Sequence, residues 1–144
     1  MEGADLAGAD LRGAFLYNAD LSGANLAAAD LKGASLVCAN LEGADFSGAR
    51  LEGADLRGAN FIYTNLTGAD LRGANLEGAD LKSAKLEGAN FEGADLEGAN
   101  FTYTNLTGAD LRGANLKYVE LRSAKLEGAN FECADLKGQS SQQA

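Results

Sequence analysis

A five-residue period runs through almost the whole chain and constrains its fold more than any other feature. All 19 glycines occupy the same position of this five-residue frame. The frame has 27 successive centres, from Leu6 to Leu136, and every centre is Leu or Phe. Ala stands two residues before the centre in 24 of these units, and Thr64, Thr104 and Val119 take its place in the others. So strict a period predicts one structural unit that is stacked many times.

Neither a continuous helix nor a continuous strand can satisfy this period. In a helix, about 100° per residue would carry successive centres around every face. In a strand, an odd period would place successive centres on opposite faces. A short extended segment places Ala and Leu, which are two residues apart, on one side. Gly then falls at the third position of a turn, where a type II turn needs a positive φ. We therefore predict a three-residue extended segment and a corner in each unit, with Ala and Leu or Phe inside.

The number of sides follows from a longer repeat. Residues 51–90 and 91–130 are identical at 32 of 40 positions. Forty residues make eight units, which divide into four-sided coils of 20 residues but not into three-sided coils of 15. The 40-residue repeat therefore predicts a solenoid of about seven four-sided coils. At about 4.8 Å per coil, the rod would be about 30–35 Å long.

The repeated unit resembles a known family. The sequence Ala-Asp-Leu-Arg-Gly at residues 69–73 is typical of the pentapeptide-repeat proteins, and the regular Ala-Asp/Asn-Leu pattern is similar to the members that are abundant in cyanobacteria. The resemblance implies an all-β fold, a right-handed quadrilateral β-helix, and the handedness comes from the family alone. We expect one β-helix domain over residues 1–138 and a short, polar, disordered tail over residues 139–144.

The composition argues against an enzyme. The chain has no His, which is the usual base for a Ser or Cys nucleophile. Its two cysteines, Cys38 and Cys133, are nearly five coils apart, which is too far for a disulfide. Two distant cysteines are also too few ligands for a zinc site. The outward Asp and Asn residues are expected to hydrogen-bond the turn backbone. We therefore predict a non-enzymatic protein with no catalytic residue, no cofactor and no metal.

The net charge of −9 raises a specific alternative. Some pentapeptide-repeat proteins mimic duplex DNA, bind DNA gyrase or topoisomerase IV and protect against quinolones, so the resemblance makes DNA mimicry the alternative function. Mimicry requires carboxylates gathered on one face, yet three sides carry a net −2 and the fourth −3. Residues Arg72, Glu92, Arg112 and Glu132 alternate in sign 20 residues apart and predict an ion ladder between coils. We therefore favour a structural or protein–protein interaction solenoid with an unknown partner.

Apolar residues at outward positions are the candidate contacts. Phe15, Tyr17 and Val37 interrupt the polar pattern near the N-terminal end, and we name them the N-terminal apolar patch. They are interpreted either as drift in the repeat or as a partner or dimer contact.

A second group of candidate contacts lies further along the chain, and we name it the tyrosine edge. Ile62 stands beside Tyr63; Tyr63, Tyr103 and Tyr118 replace glycine at corners. Two interpretations are open for this edge. The bulky residues could impose a different turn type in which the tyrosines cover the core, or they could form a binding surface.

The remaining expectations concern partners and location. No apolar run is long enough for a signal peptide or a membrane-spanning helix, so we expect a cytoplasmic protein or fragment with no membrane contact. Direct nucleic acid binding is not expected, because there is no basic stripe to neutralise phosphate. Neither terminus carries an obvious cap for a solenoid, which leaves three interpretations: end-to-end dimers, stacking into fibres, or a chain cut from a longer protein.

Overall fold

The chain folds into a four-sided solenoid in a computed structural model that describes residues 1–139. Its strands are reduced to single bridged residues, each joined by a parallel bridge to the residue 20 positions later. The bridges begin with Asp5 to Asn25 and end with Asn115 to Asp135. The predicted coil of 20 residues with four sides is therefore confirmed.

Each side carries one bridged residue per coil, and we number the sides in chain order. The first side carries residues 5 to 125, the second 10 to 130, the third 15 to 135 and the fourth 20 to 120, each at intervals of 20. A two-residue corner follows each side and takes its number. The first four corners are residues 7–8, 12–13, 17–18 and 22–23.

Every corner has the turn geometry that the glycines predict. The carbonyl oxygen of the centre residue accepts a hydrogen bond from the amide three residues later, as Leu6 does from Ala9 at 3.0 Å. The second corner residue has a positive φ throughout, with values of 64–77° at the glycines. Nine residues other than glycine share this conformation, at 55–60°: Asn18, Ala28, Cys38, Tyr63, Ser83, Tyr103, Tyr118, Ser123 and Cys133.

The expectation of a different turn type at the tyrosine edge is therefore wrong. Tyr63, Tyr103 and Tyr118 have φ values of 59°, 60° and 59°, within the range of the other non-glycine corners. The reason is that each corner is also fixed by its neighbours, since the Tyr63 amide donates to the Lys82 carbonyl oxygen of the next coil at 3.2 Å. This bond holds the chain on one path despite a cost of about 1–2 kcal/mol for a left-handed conformation in a residue with a Cβ.

The interior is a continuous column of Ala, Leu and Phe side chains. Every centre residue from Leu21 to Leu116 is fully buried, and so is Val119, which replaces Ala. The two buried threonines at Ala positions bond their hydroxyl groups to backbone carbonyl oxygens, Thr64 to Leu41 at 2.7 Å and Thr104 to Phe101 at 2.8 Å. The core therefore accepts a polar group only where that group has a partner.

The ends of the repeat differ from its middle. The corner geometry continues from Gly3 to Gly138, and Gln139 donates its side-chain amide to the Leu116 carbonyl oxygen at 2.8 Å. The predicted disorder of the C-terminal tail otherwise concerns residues 140–144, which lie outside the described residues. Within residues 1–139, the fold contains no helix of the length and hydrophobicity needed to cross a bilayer.

Candidate interaction surface

The outward Asp and Asn side chains close the corners, as predicted. At every bridged position that holds Asp or Asn, the side-chain Oδ1 accepts a hydrogen bond from the amide two residues later, at 2.9–3.4 Å. Such bonds stabilise a turn locally. All 11 aspartates, of the 21 acidic residues in the chain, are therefore part of the corner architecture.

Arginine side chains link the coils along the second side and its corner. A chain of ion pairs runs through Arg12, Asp30, Arg50, Glu52 and Arg72, with N–O distances of 4.0, 3.4, 3.5 and 3.5 Å in that order. These pairs cross the first four coils. Three of the four pairs join charges of opposite sign on neighbouring coils, which is the solenoid equivalent of a cross-strand pair, and Arg50–Glu52 lies within one coil.

Of the three ion pairs in the predicted ladder of alternating charges, one forms among the described residues, between Arg112 and Glu92. Arg112 pairs with Glu92 of the preceding coil at 3.3 Å, as expected, and also with Asp110 at 2.6 Å. Arg72 pairs instead with Asp70 at 2.6 Å and with Glu52 of the preceding coil at 3.5 Å. Each of these two arginines therefore contacts two acidic residues: the bridged Asp of its own coil and a corner Glu of the preceding coil.

These contacts change the titration of the acidic groups. The side-chain hydrogen bond from Arg12 lowers the pKa of Asp10 to about 2. Hydrogen bonds from Arg57, Arg72 and Arg112 likewise lower the pKa values of Asp55, Asp70 and Asp110. These carboxylates stay ionised at neutral pH, yet each lies against a guanidinium. Their negative charge is therefore partly neutralised at the surface.

The structure places the N-terminal apolar patch on the third side and third corner of the first two coils. Phe15 is 93 % exposed and Tyr17 is 64 % exposed, while Val37, one coil later on the same corner, is half-buried. Phe15 is the one apolar residue among the 27 bridged or equivalent outward positions of the sequence. An aromatic ring so exposed receives almost no cover from its neighbours, so the three residues share a surface without packing into a cluster.

A backbone feature beneath the patch was missed by the sequence analysis. Phe15 and Ser35 stand where other coils have Asp or Asn. Phe15 has no side-chain acceptor, and within residues 1–139 the Ser35 hydroxyl accepts no hydrogen bond from the Val37 amide, so neither the Tyr17 nor the Val37 amide has the bond that closes other corners. These two amides lie one coil apart on the same corner, at a spacing of about 4.8 Å. Elsewhere in residues 1–139, such positions occur singly, at Arg50, Lys85, Glu120 and Lys125. The signal was present in the sequence as two successive replacements on one side.

The tyrosine edge is divided between two corners. Tyr63 and Tyr103 lie two coils apart on the fourth corner, whereas Tyr118 lies on the third corner, with its ring against Gly138 of the next coil. The three tyrosines are 58–66 % exposed and Ile62 is half-buried. The rings therefore do not cover the core, which is closed at this edge by buried Thr64 and Thr104.

Cysteine and metal chemistry contribute no site in the described part of the chain. Cys38 and Cys133 are free and exposed, as the spacing predicts, on the third and second corners. No group of three or more potential metal-binding side chains occurs in residues 1–139. A shallow groove beside Cys133 is lined by Glu92, Arg112 and Glu132. Its arginine is already paired with carboxylates.

Comparison with protein families gives a match over nearly the whole repeat. The family model for pentapeptide repeats, which describes eight copies of the repeat, matches over residues 1–37, 39–78, 74–113 and 104–138. A comparison with curated protein sequences finds no match.

Solved structures provide similar chains of related fold. A pentapeptide repeat protein from the Arabidopsis thaliana thylakoid lumen is 41 % identical, with 72 % of this chain and 68 % of that chain covered and a TM-score of 0.55. The Rfr23 pentapeptide repeat protein of the cyanobacterium Cyanothece is 37 % identical over 74 % of this chain and 63 % of its own, with a TM-score of 0.47. The predicted resemblance to the pentapeptide-repeat proteins is confirmed by the family model and by the first of these structures.

A third solved structure is similar to this chain in its fold only. Trypsin-treated QnrB1, a plasmid-mediated fluoroquinolone resistance protein, is 24 % identical, with 94 % of this chain and 71 % of that chain covered and a TM-score of 0.62.

Proposed function

Because this chain belongs to the pentapeptide-repeat family, whose members form right-handed quadrilateral β-helices, we propose that it is a non-enzymatic solenoid that binds a protein partner through the N-terminal apolar patch. The observation that carries this proposal is Phe15, which is 93 % exposed on a side where every other bridged residue is polar. Burial of this exposed aromatic side chain on binding would contribute more binding free energy than burial of any other residue of this surface.

The surroundings of the patch define the chemistry of the partner. The amides of Tyr17 and Val37 offer two donors at one edge of the patch, and an incoming carboxylate or backbone carbonyl would satisfy them. Lys32, on the second corner, borders the other edge, where its neighbour Arg12 is already paired with Asp10 at 2.7 Å. The partner that fits is therefore an extended, acidic segment with an apolar side chain for Phe15.

The test removes the aromatic ring while keeping the fold. Phe15→Asp gives the first coil the residue that the third side carries at Asp55, and its carboxylate can accept from the Tyr17 amide. Asn75→Asp is the matched control, because it adds the same charge to the same side three coils away. Quantitative affinity capture with the wild type and both variants, followed by calorimetry with the purified partner, should show a partner that only Phe15→Asp loses. Equal retention by Phe15→Asp would remove the patch from consideration.

The tyrosine edge is the second contact surface that we propose. Its support is the exposure of Tyr63, Tyr103 and Tyr118 in a repeat that otherwise places small residues at these corners. Substitution of Tyr63 and Tyr103 by Ser, the residue at positions 83 and 123 of the same corner, should weaken partner binding with an unchanged circular dichroism spectrum. Unchanged affinity would limit the contact to the N-terminal apolar patch.

DNA mimicry is the alternative function, and the net charge of −9 is the observation in its favour. Against it stand the even division of charge among the sides and the guanidinium groups that lie on Asp10, Asp55, Asp70 and Asp110. A DNA gyrase supercoiling assay with the purified chain, with and without a quinolone, separates the two functions. Inhibition or drug protection at micromolar concentration would support mimicry, whereas no effect would support the binding solenoid.

We also propose a cytoplasmic location. Its support is the pair of exposed free thiols, Cys38 and Cys133, since reduced cysteines persist in the cytosol. The similar protein from the thylakoid lumen shows that the fold is found in other compartments as well. Cell fractionation with an antibody against the chain would decide the location.

A further inference from the structure

Half of the cationic residues are paired with carboxylates, and most of the others lie together on one surface. Of the 12 Lys and Arg residues in the chain, six form no ion pair within residues 1–139. Four of these six lie close together, Lys82 and Arg122 on the fourth corner and Lys85 and Lys125 on the adjoining first side. All four residues are exposed. On a chain with a net charge of −9, this cluster reverses the local sign of the charge.

The acidic residues beside these cations do not neutralise them. Glu87, which follows Lys85 at the first corner, accepts hydrogen bonds from the Thr67 hydroxyl at 3.3 Å and from the Asn105 side-chain amide at 2.8 Å. Within residues 1–139, no ion pair involves the four neighbouring acidic residues, which are Asp80, Glu87, Glu120 and Glu127. The four cationic side chains can therefore bind an anionic group of another molecule.

Tyrosines alternate with these cations along the rod. The Tyr63 amide donates to the Lys82 carbonyl oxygen at 3.2 Å, and the Tyr103 amide donates to the Arg122 carbonyl oxygen at 3.0 Å. Each tyrosine therefore lies one coil before a cationic corner residue, and tyrosine coils and cationic coils follow one another. We name this surface the lysine–tyrosine surface, and its residues are Tyr63, Lys82, Lys85, Tyr103, Arg122 and Lys125.

We propose that the lysine–tyrosine surface binds an acidic protein segment in the polyproline II conformation, which lies along the rod axis and carries an acidic residue at every third position. This inference rests on the proposed contact function of the tyrosine edge, and it names the chemistry of the partner that Tyr63 and Tyr103 would bind. Tyr118 lies on the third corner and takes no part in it.

The spacing of the cations matches this conformation. Cationic coils recur every two coils, which is about 9.6 Å along the rod. A polyproline II segment advances about 3.1 Å per residue, so every third residue returns to the same face about 9.3 Å further on. In a β-strand, residues on one face recur about every 6.8 Å and would fall out of step. One acidic side chain can therefore reach Lys82 and Lys85 while the next reaches Arg122 and Lys125.

The exposed rings suit the remaining residues of such a segment. Polyproline II segments dock on aromatic side chains, and they lose little conformational freedom because they are extended before binding. Tyr103 lies between the two cationic coils with 58 % of its surface exposed. The next coil on the same corner carries the small residue Ser123, as Ser83 follows Tyr63. Each ring is therefore open to an apolar side chain between two carboxylates.

A single-stranded nucleic acid also combines negative charge with rings that stack on tyrosine. Its affinity depends on the neutralisation of many phosphates by cations, whereas this surface offers four cations on a chain of net charge −9. A short segment with a few carboxylates needs no more cations than this surface provides. The charge therefore favours a protein segment over a nucleic acid.

Fluorescence anisotropy with labelled ligands tests the chemistry of the partner. The probe is a peptide of repeated Pro-Pro-Glu, about 18 residues long, which is longer than the surface. A peptide of the same composition with all glutamates at one end removes the spacing, repeated Pro-Pro-Gln removes the charge, and a thymidine oligonucleotide represents nucleic acid. At low salt, the probe should bind at least about fivefold more tightly than each of these three ligands. Its affinity should fall as salt is added.

Charge-matched variants locate the binding surface. Lys82→Gln with Lys85→Gln removes the cations of one coil and should weaken binding of the Pro-Pro-Glu peptide at least about fivefold. Lys117→Gln with Lys137→Gln removes the same charge from the third corner and should bind like the wild type. Tyr103→Ser, which places at this corner the residue found at Ser83, should also weaken binding. Circular dichroism checks that each variant keeps the fold.

Three results would overturn the proposal. The Pro-Pro-Glu peptide would not bind, the peptide with clustered glutamates or the oligonucleotide would bind as tightly, or the two lysine variants would behave alike. Failure of the proposed contact function gives a different result, since it is measured by affinity capture with Tyr63→Ser and Tyr103→Ser. A partner lost by those variants, together with no binding of the Pro-Pro-Glu peptide to the wild type, would keep the contact surface and reject this partner chemistry.

Discussion

At the scale of single residues, the corner conformation decides which side chains the repeat tolerates. Gly68 and Ala28 occupy the same corner position with φ values of 66° and 57°. A Cβ added at Gly68 would meet nothing within 4 Å. The preference for glycine at this corner is therefore conformational and has no steric origin in neighbouring coils.

Exchange of Gly and Ala at this corner should move stability in opposite directions. Gly68→Ala is expected to lower the free energy of unfolding by about 1 kcal/mol, since the left-handed conformation costs more than the unfolded chain regains. Ala28→Gly should raise it by a smaller amount. Urea denaturation followed by circular dichroism measures both. If both variants were as stable as the wild type, other contacts would have to offset the conformational cost at this corner.

The buried threonines make a second prediction at this scale. Thr64 is fully buried and its hydroxyl bonds to the Leu41 carbonyl oxygen at 2.7 Å. Thr64→Val keeps the volume and removes the bond, and Val119 shows that Val fits at such a position. We expect a loss of about 1 kcal/mol, measured by the same denaturation, and a larger loss for Thr64→Ala because it also leaves a cavity. A Thr64→Val variant as stable as the wild type would contradict this account.

At the scale of the corner and its side, carboxylates and guanidinium groups form the main variable contacts. The pKa values of Asp70 and Asp110 are lowered by hydrogen bonds from Arg72 and Arg112. A carboxyl group whose pKa is lower in the folded state stabilises the fold fully above its unfolded pKa, near 4. That stabilisation disappears as the pH falls through the folded pKa.

The variant Arg72→Gln with Arg112→Gln should therefore be less sensitive to acid. Between pH 6 and pH 3 we expect the wild type to lose more stability than this variant, in denaturation curves recorded at both pH values. Lys82→Gln with Lys85→Gln is the control for the change in net charge, and it should retain the acid sensitivity of the wild type. A similar response of all three proteins would mean that the arginine contacts contribute little in solution.

These contacts also show what the sequence could predict at this scale. The corner glycines, the inward Ala and Leu, and the bonds from Asp and Asn to the turn amides follow from a fixed five-residue geometry. Arg72 pairs with Glu52 and Asp70 and not with Glu92. These pairings depend on side-chain rotamers, which the repeat does not specify. The conformation at Tyr63 was also mispredicted, because residue preference was weighed without the hydrogen bond to the neighbouring coil.

At the scale of the whole molecule, each coil contacts only the coils beside it. Stability is then a sum of coil and interface contributions, and unfolding can begin at either end. The sequence predicted this architecture through the 40-residue duplication. It also predicted the exposure of Phe15, because the other outward bridged positions are polar. It did not predict the two open amides under the N-terminal apolar patch, which become visible only when the missing Asp and Asn are placed on neighbouring coils of one side.

Hydrogen exchange should therefore show a gradient along the rod. The amides of Leu11, Leu51 and Leu71 all donate to the next coil at 2.7 Å. Because Leu11 is only half-buried and the other two are fully buried, the Leu11 amide is expected to exchange faster. Mass spectrometry of exchanged peptides at low protein concentration measures this difference. Uniform exchange along the chain would instead indicate that the rod unfolds as one cooperative unit.

The bridge interval of 20 residues separates the length of this molecule from its angular pattern. Removing 20 residues would shorten the rod by one step and leave every remaining residue on its original side. Removing five would turn all later residues by a quarter revolution relative to the earlier ones. Insertion of whole coils lengthens the rod, whereas insertion of single five-residue units also rotates everything that follows about the rod axis. The number of inserted units therefore sets the angle between one binding surface and another.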